Sequence, residues 1–102
     1  MRDEPTLTDH EVVDRHNHHV GKVTDVIFDD RDYRPKWTTV KTGVLRGEHL
    51  APMEGAYVSE EGVLVLPFDK DLVTHAPKPP RDHVLTSDLV HEAAQHYDLA
   101  DR

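Results

Sequence analysis

A chain of 102 residues with 36% apolar and 31% charged side chains supports one domain around one modest core, with little room for a second, site-bearing layer. Its 12 basic residues are scattered among 20 acidic ones, and the resulting charge of −8 repels phosphate backbones and anionic membrane surfaces, which argues against a nucleic-acid partner. The absence of cysteine excludes disulfides and thiol catalysis, and the longest apolar run, residues 63–68, is far short of the roughly 20 residues of a membrane span, so a soluble, cytoplasmic protein without membrane insertion is expected.

Residues 1–10 are expected to form a loose arm. Thr8 and Glu11 have the spacing of a capping box, yet no helical apolar period follows them. A short strand at 11–14 turns at 15–19 into residues 20–28, where Val23, Val26, Ile27 and Phe28 favour a pleated backbone. A second β-rich segment, residues 37–45, follows a charged connection that ends in Pro35, and the two segments predict an antiparallel hairpin. Residues 48–53 form a strand that Pro52 confines to an edge or a bulge. Gly55 then bends the chain before Ala56, Tyr57 and Val58, and Glu60, Glu61 and Gly62 make a tight turn. In residues 63–66, Val63 and Val65 lie on one face and Leu64 and Leu66 on the other. Both faces are expected to be covered, the outer one by the C-terminal segment.

Four prolines in residues 67–80 end the β-rich region, residues 11–77, and continue as an extended connection over 78–86. Ser87 is placed to cap a helix over 87–102, in which Leu89, Val90, Ala93, Ala94 and Tyr97 recur at three- and four-residue intervals. About three helical turns do not persist alone in water, so this helix must pack on its own domain or on a neighbouring chain. Packing on a neighbour is a route to a homodimer, and Tyr57, Leu89, Val90 and Tyr97 are the candidate interaction surface.

Val20, Gly21, Lys22, Val23, Thr24, Asp25 and Val26, then Pro35, Lys36, Trp37, Val40, Lys41 and Gly43, and later Pro52, Gly55, Pro67, Phe68, Ala76 and Pro77, resemble the PRC-barrel domain. That small β-barrel family is known from the photosynthetic reaction-centre H subunit and from ribosome maturation factors, and the resemblance spans residues 12–77. It implies a mainly β fold, a small antiparallel barrel of about six short strands with one C-terminal α-helix, used for docking and assembly. The family pattern has a glycine before Val20 where this chain has Asn17, a residue that tolerates the left-handed conformation. The RNA-associated domain and the membrane anchor of the two relatives are not expected here, so the resemblance is taken as a guide to fold and not to pathway.

The densest chemical cluster is His16, His18 and His19, three imidazoles on one turn that suit zinc if a fourth ligand, Asp14, His10 or a partner chain, comes from elsewhere. The plainer reading is a solvated hairpin tip. His91 and His96 are five residues apart and diverge around a helix, so the zinc-peptidase pattern fails. Asp30 and Asp32 begin like a calcium loop, but Pro35 and Lys41 stand where its glycine and glutamate belong. Ser59 and Ser87 lie in no nucleophile elbow, and Asp25 reads as a carboxylate that accepts turn amides or pairs with a lysine. Trp37 and Phe68 read as core.

These readings favour a non-enzymatic protein-interaction module with no cofactor, either self-associating or docking an unidentified protein partner. The alternative is a metal- or ligand-binding module that uses zinc at His16, His18 and His19. Protonating all nine histidines carries the formal charge from −8 to +1, so mild acid removes most of the charge that keeps molecules apart.

Overall fold

The structure, a computed structural model, describes residues 9–28, 34–43, 47–82 and 84–99. The capping-box residue Thr8, the charged connection with Asp30 and Asp32, and the last three residues of the expected helix lie outside that set. Six strands form one sheet: β1 Glu11–Val13, β2 His19–Phe28, β3 Pro35–Lys41, β4 Glu48–Pro52, β5 Tyr57–Val58 and β6 Leu64–Val65. Their spatial order is β4-β3-β2-β1-β6-β5, a half-barrel. The expected antiparallel hairpin of β2 and β3 is present, with Val23 opposite Val40 and Ile27 opposite Trp37.

The sheet is mixed, not purely antiparallel as the sequence suggested. β1 and β6 run parallel, with Val12 opposite Leu64 and Val13 opposite Val65. A parallel neighbour needs a long crossover, and β2 to β5 supply it here. At Gly21 the sheet folds so closely that an added Cβ would sit 2.0 Å from the Lys41 carbonyl oxygen, which explains a glycine inside a strand. The ladder with β2 begins before the expected start of the barrel: Asp9 N–H donates to Val23 O at 2.7 Å, and Val23 N–H donates to His10 O at 3.0 Å.

Two helices follow, not one. α1, Lys70–Thr74, lies in the stretch read as the end of the β-rich region, and α2, Ser87–His96, is the expected helix with Thr86 rather than Ser87 at its N-cap. Thr86 Oγ1 accepts from Leu89 N–H at 3.2 Å. The core is formed by Val12, Val20, Val23, Val40, Leu50, Leu64, Leu66 and Val73, joined by Trp37, Ala93 and Tyr97. α2 therefore packs on its own barrel. No described helix is long and apolar enough to cross a membrane.

Leu64 and Leu66 are buried as expected, but the opposite face of β6 is not covered by the C-terminal segment. α2 seats on β4 and α1 instead, through Tyr97 and His96, and Val63 and Val65 stay partly exposed. Ala93 and Tyr97 are buried in the core of their own domain and Leu89 and Val90 pack against it, which holds α2 away from the far side of the sheet.

Candidate docking surface

Side chains alternate across a strand, so one face of β1, β6 and β5 carries Glu11, Val13, Val65 and Tyr57, with Val13 and Tyr57 both registered on Val65. Together with Asn17, His19, Ser59, Glu61 and Val63 they line a groove of about 390 Å³. Its floor is apolar and its rim carries two carboxylates. Tyr57 is 61% exposed and Val58, beside it on the sheet edge, is 44% exposed.

The turn that ends this edge fixes which backbone groups face outward. Gly62 N–H donates to Ser59 O at 2.9 Å, and Ser59 N–H donates to Val63 O at 2.8 Å; Gly62, at φ +83°, supplies the left-handed residue that such a bulged hairpin requires. Because paired and unpaired positions alternate along an antiparallel ladder, Val58 opposite Leu64 turns its N–H and C=O away from β6. The far edge is built differently. At β4, Leu50 N–H donates to Pro77 O at 2.9 Å, Tyr97 Oη donates to Leu50 O at 2.5 Å, and His49 Nδ1 meets Ala76 O at 2.8 Å. Burial pushes the Tyr97 phenol well above its ordinary range, so it stays a donor.

The histidine turn borders the groove and is organised by Asp14, a carboxylate only 1% exposed. Asp14 Oδ1 accepts from His16 N–H and His18 N–H, each at 2.8 Å, and Oδ2 accepts from Lys70 N–H at 2.9 Å, the first amide of α1. Burial alone would raise its pKa; the hydrogen bonds from the His18, Lys70 and His16 amides and the His18 ring overcome that and hold it at about 2. Asn17 adopts the left-handed conformation expected of it, at φ +67°.

The three imidazoles do not converge. His18 Nδ1 lies 3.2 Å from Asp14 Oδ2, His19 Nδ1 lies 2.9 Å from Glu11 Oε2, and His16 Nε2 lies 3.3 Å from Asp69 Oδ1. Each ring faces a different carboxylate, on a different element. Among the described residues no group of three or more histidine, cysteine, aspartate or glutamate side chains is arranged to hold a metal ion. The turn therefore does not present His16, His18 and His19 as a preformed zinc site.

A family model for the PRC-barrel domain matches residues 5–73. The chain belongs to the PRC-barrel domain family. That match ends within α1, so α2 lies outside the matched span. A search of curated proteins finds no match. PRC-barrels form a family of general modules that are for the most part non-catalytic.

Within this PRC-barrel the four side chains expected at an interface separate. Tyr57 is exposed on the groove. Leu89 and Val90 are partly buried against the core, and Val90 also lines a second groove of about 810 Å³ with Trp37, Met53, Leu85 and Leu99. Tyr97 is only 3% exposed and is corrected from surface to core: its ring packs at a tilt against Phe68, with centroids 4.8 Å apart, and its hydroxyl closes the β4 edge. The His96 ring is held to α1, with Nε2 2.6 Å from Leu72 O. Asp25 accepts from Val26 N–H at 2.9 Å, in line with the plain reading of that carboxylate. The residues that sequence reasoning passed over are Val13, Val58, Val65 and Glu61. The signal was there in part, since Val63 and Val65 form an apolar face, but the C-terminal segment was expected to cover it and does not.

Proposed function

We propose that this PRC-barrel is a non-enzymatic docking module that binds a protein partner on the β1–β6–β5 face and along the β5 edge. The observation that carries the reading is the contrast between the edges of one sheet. β4 is sealed by Pro77, Ala76 and Tyr97, whereas β5 offers outward backbone groups at Val58 beside an exposed Tyr57 and the partly exposed Val65. An exposed edge with an apolar face beside it is the arrangement that accepts an added strand.

The test compares partner recovery from native extract by the full chain, by Tyr57→Ser and by Val90→Ser. A partner retained by wild type and Val90→Ser and lost by Tyr57→Ser is the expected result. Equal recovery by all three contradicts the placement.

A further inference from the structure

The charge on the groove says what kind of segment it takes. Resting on the docking reading above, we infer that the occupant is an extended protein segment with an apolar side chain and, two residues on, a lysine or arginine. Tyr57 and Ser59 share the outer face of their strand, and same-face positions of an added strand repeat at the same interval. An apolar side chain set over Tyr57 and Val65 therefore places the next same-face side chain beside Ser59 and Glu61, two of the lining residues.

Two carboxylates, Glu11 and Glu61, stand in the lining, and Glu60 is exposed in the same turn. Against them, Lys22 is registered opposite Glu11 on β2, and His19 Nδ1 lies 2.9 Å from Glu11 Oε2. Lys22 and the His19 ring thus gather at the Glu11 end, which leaves Glu61 as the carboxylate most available to a cation. A second copy of the chain is the poorer occupant, because it brings a further charge of −8 and sets acidic rims against each other.

The experiment is an NMR titration of the full chain with two blocked synthetic peptides. One repeats valine, threonine, lysine, threonine, and the other carries glutamate in place of each lysine. The lysine peptide is expected to shift the amides of Tyr57, Val58, Ser59 and Glu61 saturably, more weakly as salt rises, and to bind at least about tenfold more tightly than the glutamate peptide. Glu61→Gln combined with Glu11→Gln, both at the solvated rim, should weaken the lysine peptide by about tenfold while leaving the remaining amide spectrum unchanged.

Equal binding of the two peptides, or a Gln pair without effect, overturns the cationic partner and leaves the docking surface standing. If neither peptide shifts these amides while Tyr57→Ser still loses the native partner, the segment chemistry is wrong and the site is right. If Tyr57→Ser keeps the native partner, the docking reading itself fails. A concentration-dependent rise in solution mass that Tyr57→Ser abolishes assigns the face to a second copy and overturns the inference.

Discussion

At β4, three groups from the C-terminal third of the chain meet the outer edge: the Pro77 carbonyl, the Ala76 carbonyl and the Tyr97 hydroxyl. At β5, the opposite edge of the same sheet, no described residue makes such a contact, and Tyr57 and Val58 stand exposed. Closing an edge takes a length of chain behind it, and the stretch from the end of α1 to the end of α2 supplies the groups that close β4. What remains at β5 is short, as protected edges are, yet it adjoins an apolar face that a solitary edge would not need.

The comparison breaks most severely at Asp14, which ties the histidine turn to the start of α1 and so holds the segment that reaches β4. Asp14→Ala leaves the amides of His16, His18 and Lys70 without their acceptor, and should cost about 3 kcal/mol in chemical denaturation. The same group sets acid sensitivity. Its folded pKa, about 2, lies below the ordinary value of 3.8, so its stabilisation is fully present above that ordinary value and is lost as pH falls from there towards the folded value. The loss amounts to about 2 kcal/mol, and Asp14→Asn should abolish that part of the pH dependence of unfolding.

Tyr97→Phe tests the seal itself. It removes the donor to the Leu50 carbonyl from a buried site and should lower stability by about 1–2 kcal/mol, with faster amide exchange at Leu50. Tyr57→Ser sits at the other end of the scale. On the open edge it should change stability by no more than about 0.5 kcal/mol, and a larger loss in the same denaturation assay would mean that Tyr57 belongs to the fold.

Much of this arrangement was legible from local chemistry. Pro52 marks a strand that does lie at an edge, Asn17 takes the left-handed turn, and β-branched residues place the β2–β3 hairpin. The parallel pairing of β1 with β6 was not legible, because each contributes two residues to it and the partners are far apart in the chain. α1 was hidden for a related reason: the Asp69 side chain at its N-cap makes no capping hydrogen bond to the helix but accepts from Arg15 Nε–H, and the carboxylate that accepts from the first amide is Asp14. The helical stripe of Leu89, Val90, Ala93 and Tyr97 signals something to be buried, but a period cannot say whether its own sheet or another chain receives it. The site divides in the same way. Tyr57 stands out as an apolar residue near a turn, whereas its neighbours Val13 and Val65 come together only through the long-range register.

The most direct measurement is amide hydrogen exchange at Leu50 and Val58, in the free chain and with the lysine peptide. Leu50 is expected to exchange slowly in both states, and Val58 rapidly alone and at least about tenfold more slowly with the peptide. A Val58 already as protected as Leu50 in the free chain would show that the β5 edge is closed, and would contradict the docking surface.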